Sequence, residues 1–217
     1  MTATCSCVKR RDKVRIAVLV SGGGTNLQAL IDAQKQGRLV SGEIVLVLSN
    51  RKGAYALERA EKAGIEGVFV SKKQCGGQEG FEGRILSILQ EKEIDLIVLA
   101  GFLSILSADF VRCYPERIIN VHPSLIPAFC GQGFYGLKVH EAALEYGVKV
   151  SGATVHFVNE IPDGGRIILQ KAVAVKEGDR PEDLQRRVME EAEWVILPEA
   201  VEQVAGKIGE KGSGDAS

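Results

Sequence analysis

Short apolar runs separated by longer amphipathic stretches are the feature that most limits how this chain can fold. The runs lie at residues 16–20, 44–48, 67–70, 96–100 and 118–121. Each run is apolar over most of its length, which is typical of strands that are buried on both faces. Helices must then cover both sides of the sheet. The pattern therefore predicts an α/β fold with a Rossmann-like, mostly parallel sheet flanked by helices.

The stretches between these runs have the polarity and spacing of amphipathic helices. We predict helices at residues 26–36, 55–63, 78–91, 107–113 and 138–146. Each crossover is long enough for a right-handed strand–helix–strand unit. Ligands of such sheets bind beyond the carboxyl ends of the strands, so we expect the chemistry in the loops that follow the five strands.

The pattern changes after Val148. Two extended runs at 150–158 and 167–175 are separated by a loop rich in turn-forming residues, which predicts a C-terminal hairpin. A long last helix is predicted to begin near Pro181, and Pro198 is predicted to break or kink it.

The length of 217 residues allows one large domain or two small halves. We expect one domain over residues 14–205, with a nucleotide-type half at 14–121 and a C-terminal half at 122–205. Residues 1–13 are interpreted as an extension, and residues 206–217 as a frayed polar tail.

Charge and cysteine content exclude several classes of protein. The chain has 27 Lys and Arg against 28 Asp and Glu with no basic run, which argues against a nucleic-acid-binding surface but leaves a small anionic substrate open. Five scattered cysteines favour a reducing compartment, and Cys5 and Cys7 lack the partners of a metal site. No uncharged run fits a bilayer span, and the first 14 residues lack a signal-peptide core. We expect a cytoplasmic protein, monomeric or homodimeric, that binds small molecules, with no metal and no nucleic-acid or membrane partner.

A glycine loop with the sequence Ser-Gly-Gly-Gly-Thr-Asn, residues 21–26, joins the first strand to the first helix. Its glycines let the backbone approach an anion, toward which the free N–H groups of the helix start would point. The ending of a P-loop is missing, and Leu27 occupies the third glycine position of a dinucleotide fingerprint. A phosphomonoester suits the loop best; a tight turn with a helix cap is the alternative. Arg51 keeps an NADP site open, because it could contact a 2′-phosphate.

The exit of the fifth strand carries an amide and an imidazole on one face. Asn120 and His122 are two residues apart, and this pair suits stabilisation of an oxyanion together with proton transfer. Asp163, in the loop at 159–165, could raise the pKa of His122 and orient it. A buried structural histidine and an ordinary Asp-Gly-Gly turn are the alternatives. His140 and His156 are interpreted as structural.

Five motifs in this order resemble one family. They are SGGGTNLQ at 21–28, LAGFLSIL at 99–106, INVHPSLIP at 119–127, SGATVHFV at 151–158 and DGGRIILQ at 163–170. The chain is similar in them to the folate-dependent phosphoribosylglycinamide formyltransferases. The resemblance implies the formyltransferase fold. It also implies transfer of a formyl group from 10-formyltetrahydrofolate, as co-substrate, to the amine of 5-phosphoribosylglycinamide in purine synthesis.

The resemblance also implies roles for individual residues. The implied catalytic residues are Asn120, His122 and Asp163. The implied ribonucleotide contacts are Gly24, Thr25, Asn26, Glu190, Glu191, Ala192 and Glu193. The implied folate contacts are Gln78, Leu103, Ser104, Ile105, Leu106, Asn120, Asn159, Glu160, Ile161, Pro162 and Asp163. Main-chain groups of the 103–106 and 159–163 segments would hold most of the pterin.

The chain departs from its relatives at Ser104 and near Gln78, where they carry Arg, and at Trp194, where His is common. In the implied mechanism the amine attacks the formyl carbon and Asn120 donates to the oxyanion. His122 is expected to be an imidazolium that Asp163 keeps charged. Either a water molecule or His122 carries the proton.

Four other functions use parts of the same pattern. A formyltetrahydrofolate hydrolase would share Asn120, His122 and Asp163 but is expected to carry a regulatory domain before residue 14. A methionyl-tRNA formyltransferase would need a basic tRNA-binding domain. An NADP-dependent reductase would leave the three catalytic candidates unexplained. A non-catalytic binding module is the last alternative, and binding without turnover would support it.

Overall fold

The five apolar runs form five parallel strands in the computed structural model, which describes residues 13–214. Their bounds are β1 Val14–Val20, β2 Gly42–Ser49, β3 Glu66–Phe69, β4 Leu96–Leu99 and β5 Ile118–His122. β1 pairs with β2 and β4, and the outer pairs are β2 with β3 and β4 with β5. The predicted parallel α/β sheet is confirmed.

The predicted hairpin adds two antiparallel strands, β6 Val150–Phe157 and β7 Ile167–Ala174. The sheet order is β3-β2-β1-β4-β5-β6-β7, so one sheet runs through both predicted halves of the chain. In the β5–β6 pair Asn120 lies opposite His156, and His122 lies opposite Thr154. This register decides which side chains meet at the site.

Helices cover both faces of the sheet. They are α1 Thr25–Lys35, α2 Tyr55–Lys62, α3 Gln78–Glu91, α4 Ala108–Arg112, α5 Leu137–Tyr146, α6 Pro181–Val188 and α7 Trp194–Gly214. Alternate residues of β1 enter two separate cores, with Ile16 and Val18 in one and Ala17 and Leu19 in the other. Within residues 13–214 no helix is long and apolar enough to cross a membrane.

The last helix differs from the prediction. A π-helical turn at Met189–Glu193 separates α6 from α7, and the Trp194 N–H bonds to the Met189 carbonyl. Pro198 lies inside α7 without ending it. A proline has no N–H for the carbonyl four residues earlier, here that of Trp194, and the irregular hydrogen bonding lies in the turn just before that residue.

The predicted polar tail also differs in part. α7 continues to Gly214, and Ala205 and Ile208 pack against the core, so the segment that follows Gly206 is helical rather than frayed. The predicted extension at 1–13, with Cys5 and Cys7, lies outside the described residues except for Lys13.

Candidate active site

A cavity of about 540 Å³ lies at the carboxyl edge of the sheet, where the sequence places the chemistry. Its walls are the ends of β4 and β5 and the loops at 101–106, 131–136 and 158–163. Asn120, His122 and Asp163 all line it. The three implied catalytic residues therefore share one cavity, although Asp163 is 41 or more positions away from the other two.

Asp163 is held in the cavity wall by a tight loop. Its backbone lies in the left-handed region with φ of 54°, which is uncommon for a residue with a side chain. The close approach of the Phe157 carbonyl requires Gly165, because a Cβ there would lie 1.7 Å from that oxygen. The Asp-Gly-Gly sequence is thus a turn, and this turn directs a carboxylate into the cavity.

Each oxygen of the Asp163 carboxylate faces two groups. Oδ1 lies 3.4 Å from Asn120 Nδ2 and 3.5 Å from His156 Nε2. Oδ2 lies 3.5 Å from His122 Nδ1 and accepts a hydrogen bond of 2.8 Å from the Gly131 N–H. Burial alone would raise the pKa of Asp163. The hydrogen bond from His156, the charge of His122 and the Gly131 amide together lower it, so the carboxylate is ionised at neutral pH.

The His122 ring is buried and has an acceptor at each nitrogen. Nε2 lies 2.9 Å from the Phe129 carbonyl oxygen, which can only accept, so Nε2 carries a proton. Nδ1 faces Asp163. Burial lowers the pKa of His122, and its effect exceeds the opposite effects of Asp163 and the Phe129 carbonyl. Burial therefore works against the expected imidazolium, whereas the two acceptors favour it; when the ring is neutral, its lone pair is at Nδ1.

His156 belongs to the site, which corrects its interpretation as structural. It lines the cavity, and its Nε2 lies 3.3 Å from Asn120 Nδ2 as well as near Asp163. Its Nδ1 donates to the Phe157 carbonyl at 2.8 Å. Nε2 of the neutral ring accepts from Asn120, and only the protonated ring donates to Asp163. The signal in the sequence is the alternation that places His156 and Thr154 on one face of a strand, but the register against β5 is needed to use it.

His140 does not line the cavity. It is buried on α5, and burial, together with a smaller effect of the charge of His122, lowers its pKa to about 4. It is a neutral core histidine.

The glycine loop forms a second polar region beside α1. Gly24 has φ of 72°, and a Cβ there would lie 2.7 Å from the Ala56 Cβ, so this position requires glycine. Asn26 Nδ2 donates to Glu193 Oε2 at 2.8 Å, and both side chains are buried. Burial raises the pKa of Glu193 to about 7, and the Asn26 hydrogen bond only partly opposes this. The Asn26 Oδ1 has no hydrogen-bond partner.

Other implied contacts lie elsewhere. Glu190 and Glu191 are exposed and Ala192 is buried in the core, because consecutive helical residues point in different directions. Of the four residues at 190–193, only Glu193 has a hydrogen bond to the glycine loop. Gln78 does not line the cavity; it lies behind the 103–106 segment and donates to the Ile105 carbonyl at 3.0 Å.

The remaining implied folate contacts line the cavity. They are Leu103, Ser104, Ile105, Leu106, Asn159, Glu160, Ile161 and Pro162. Leu103, Ile105 and Ile161 are exposed apolar side chains, so the cavity mouth offers aliphatic surface. Ser104 accepts a hydrogen bond of 2.7 Å from Asn50 Nδ2. Within residues 13–214 no cluster of three or more His, Cys, Asp or Glu could hold a metal ion.

The arrangement combines an amide donor, an imidazole and an ionised carboxylate at one wall of a cavity. A basic ring nitrogen beside a carboxylate can take up a proton, because the charge that forms is stabilised by its neighbour. An amide N–H can donate to an oxygen that gains negative charge. Such a site fits acyl transfer to a nucleophile supplied by a substrate, since the three side chains themselves include no Ser, Cys or Lys nucleophile.

Comparison with known proteins gives consistent relatives. The chain is 46% identical over 204 residues to the trifunctional purine biosynthetic protein adenosine-3 of Gallus gallus. The matched segment covers 93% of this chain and 20% of that protein. It is 40% identical over 178 residues to the chloroplastic phosphoribosylglycinamide formyltransferase of Arabidopsis thaliana, which covers 82% of this chain and 61% of that protein. The chain therefore spans about a fifth of the length of the Gallus gallus relative and about three fifths of the Arabidopsis thaliana relative.

Solved structures agree with the sequence matches. Glycinamide ribonucleotide transformylase 1 of Symbiobacterium toebii superimposes with a TM-score of 0.84 at 43% identity, over 90% of this chain and 89% of that one. Phosphoribosylglycinamide formyltransferase of Bacillus halodurans superimposes with a TM-score of 0.81 at 35% identity, over 89% of this chain and 96% of that one. The family model described as formyl transferase matches residues 14–201. On these grounds the chain belongs to the formyl transferase family, and its fold is that of the phosphoribosylglycinamide formyltransferases.

Proposed function

We propose that this protein transfers the formyl group of 10-formyltetrahydrofolate to the amine of 5-phosphoribosylglycinamide. The observation that carries the proposal is the Asp163 carboxylate, which faces Asn120, His122 and His156 in the wall of one cavity. A one-carbon acyl group placed there would meet an oxyanion donor and a proton acceptor together. The family and its solved members support this choice of reaction.

The two polar regions suit two substrates. The glycine loop and the Asn26–Glu193 pair would bind the ribonucleotide, with the phosphate on the loop amides and the unpartnered Asn26 Oδ1 accepting from a substrate N–H or O–H. The 103–106 and 159–163 segments would enclose the folate, whose rings match the exposed side chains of Leu103, Ile105 and Ile161.

The chemistry follows from the protonation states. The substrate amine attacks the formyl carbon, and Asn120 donates to the carbonyl oxygen as it becomes negative. The neutral His122 takes a proton from the amine at Nδ1, where Asp163 stabilises the imidazolium that results. The bond between the formyl carbon and the folate nitrogen then breaks, and that nitrogen receives the proton. Starting from the neutral ring favours His122 over a water molecule as the carrier.

Two further features stay predictions. A cytoplasmic location is predicted from composition, whereas the relative in Arabidopsis thaliana is named chloroplastic. The oligomeric state is predicted to be monomer or homodimer.

Incubation with both substrates tests the proposal. We expect formylated ribonucleotide and tetrahydrofolate in equal amounts, measured by mass spectrometry and absorbance, and no loss of the formyl donor when the ribonucleotide is omitted. Formate release without an acceptor would indicate a hydrolase instead. Binding of both compounds without turnover would indicate a binding module.

A further inference from the structure

The charged groups around the main cavity are distributed unevenly. Of the Lys and Arg residues among 13–214, only Arg51 lines it. The carboxylates in its lining already have partners, since Asp163 faces the histidines and Glu160 pairs with Arg112 at 3.0 Å. In the described part of the chain, the Arg51 guanidinium has no hydrogen bond or ion pair, although its backbone N–H is bonded to Ser49 Oγ. The cavity mouth thus carries one cation that no protein anion neutralises.

A chain of hydrogen bonds fixes the backbone that carries Arg51. Ser21 Oγ donates to Asn50 Oδ1 at 2.7 Å, and Asn50 Nδ2 donates to Ser104 Oγ at 2.7 Å. The Leu103 N–H donates to the same Ser21 oxygen at 2.9 Å. The end of β2 is therefore tied to the end of β1 and to the cavity segment at 103–106. Ser104 is thus one member of this hydrogen-bonded series.

The sheet order sets the distance between Arg51 and the reacting groups. Arg51 follows β2 and Asn120 lies on β5, with β1 and β4 between them. Three strand spacings place the two ends of the cavity about 14 Å apart. A ligand whose reactive carbon lies at Asn120 must be elongated to reach Arg51, and its far end should be anionic.

We propose that Arg51 binds the glutamyl carboxylates of the folate co-substrate and selects folates that carry this tail. The inference rests on the proposed function, because it takes the ligand of the cavity to be a folate. A guanidinium pairs with a carboxylate through two parallel hydrogen bonds, and an unpaired arginine keeps both available. The Ser21–Asn50–Ser104 chain positions the arginine without contacting the tail.

The phosphate of the ribonucleotide is the other anion that could meet Arg51. Gly24, Thr25 and Asn26, the residues expected to bind it, do not line the cavity that Arg51 lines. Arg51 instead shares the cavity with the 103–106 and 159–163 segments. The folate tail is therefore the anion that the geometry favours.

The proposal is tested by calorimetry, which measures how tightly the full chain binds two ligands that differ only in the glutamate tail. Tetrahydrofolate carries the glutamate, and tetrahydropteroate has the same rings without it. We expect Arg51→Ala to weaken tetrahydrofolate binding about tenfold to thirtyfold and to change tetrahydropteroate binding less than twofold. Lys52→Ala, which removes the neighbouring exposed cation outside the cavity, should change neither. Ser104→Ala should weaken tetrahydrofolate binding by a smaller factor than Arg51→Ala does. Added salt should reduce the difference in Kd between the two ligands in the wild type but not in Arg51→Ala.

Each other result has a separate meaning. Equal weakening of both ligands by Arg51→Ala would overturn the assignment to the tail. A raised Kd for the ribonucleotide with unchanged folate binding would assign Arg51 to the phosphate and overturn it as well. Normal binding of both folates by every variant would contradict this inference alone. Failure of the wild type to bind either folate would contradict the proposed function itself.

Discussion

Two buried carboxylates in this protein have pKa values shifted in opposite directions. Asp163 is surrounded by an amide side chain, a backbone N–H and two imidazoles, and its pKa is lowered although burial alone would raise it. Glu193 is more deeply buried and receives one hydrogen bond from Asn26, and its pKa is raised to about 7. Glu193 is both more deeply buried and supplied with fewer donors than Asp163, and both differences favour its protonated form.

The opposite pKa shifts suit the two regions to different roles. The Asp163 region is complete without a ligand and keeps a fixed negative charge, as a proton-transfer site requires. The Glu193 region lacks donors, and the Asn26 Oδ1 beside it lacks one as well. A polar group that is buried and unsatisfied is costly, which fits a region that a ligand completes.

The largest effect should come from removing the fixed charge. In Asp163→Asn the carboxylate that stabilises protonated His122 is replaced by a neutral amide of the same size. We expect kcat to fall about 10³-fold, close to 4 kcal/mol of barrier, while both KM values change less than about threefold. Steady-state kinetics on both substrates measures this.

Asp109→Asn is the matched control, because this aspartate is exposed and pairs only with the surface residue Arg112. It should keep wild-type turnover. Turnover of Asp163→Asn within about threefold of the wild type would remove Asp163 from the mechanism and end the contrast between the two carboxylates.

The next effect concerns stability and comes from Glu193. Its pKa in the folded protein, about 7, lies above the ordinary value of 4.5 expected after unfolding. The folded state thus binds more protons between these values, so this contribution to stability is fully present below pH 4.5 and is lost as pH rises through 7. The loss is up to about 3 kcal/mol, since each pH unit between the two values is worth about 1.4 kcal/mol.

Glu193→Gln should remove that dependence, because glutamine resembles the protonated acid. We expect its free energy of unfolding, from urea titrations between pH 5 and pH 8, to exceed that of the wild type increasingly toward pH 8. Glu191→Gln changes an exposed neighbour and should parallel the wild type. Parallel curves for Glu193→Gln as well would mean that Glu193 is ionised across this range.

A smaller effect should follow when Asp163 loses one of its neighbours. His156→Gln removes the imidazole near Oδ1 and frees Asn120 from it. The ring accepts a hydrogen bond from Asn120 when it is neutral and donates one to Asp163 when it is protonated. Losing both is worth about 2 kcal/mol, so we expect kcat to fall about tenfold to hundredfold. His140→Gln replaces a buried histidine outside the cavity and should leave kcat within about twofold, even if both variants lose stability. Equal kcat losses would mean that His156 acts only through packing.

The fold could be predicted from the sequence because its signals are local. Apolar runs locate the strands to within a few residues, and Pro181 begins α6 as predicted. The π-helical turn before α7 was not predicted, because the sequence indicated an irregularity at Pro198 itself, whereas the irregular hydrogen bonding lies earlier, at Met189–Glu193. The helical stretch after Gly206 was missed because Ile208 packs on a distant part of the chain.

The site could be predicted only in part, because some of its contacts join residues that are distant in the sequence. Asn120 and His122 are recognised from one strand. Asp163 is a possible partner from its loop, and the resemblance implies its catalytic role. His156 needs the β5–β6 register, which no local pattern contains. The charge of His122 also depends on burial, which lowers its pKa against the pull of Asp163. Glu190 and Glu191 were expected to contact substrate because the motif was transferred as a block, whereas the turn of the helix brings only Glu193 to Asn26.

The smallest expected effect tests whether the glycine loop beside the Glu193 region binds the phosphate. In Gly24→Ala the new Cβ meets Ala56 at 2.7 Å and the backbone keeps φ of 72°, so the loop amides must shift. We expect the KM of the ribonucleotide to rise about tenfold, close to 1.4 kcal/mol, with the folate KM unchanged.

Gly37→Ala is the matched control. Its φ of 70° is similar and no atom lies near its Cβ, so it carries the same backbone strain away from the site. It should lose about 1 kcal/mol of stability, measured by urea unfolding, without any change in KM. Equal KM changes for both substrates in Gly24→Ala would mean that the loop does not bind the phosphate. The Glu193 region would then need another ligand to supply the hydrogen-bond donors that it lacks.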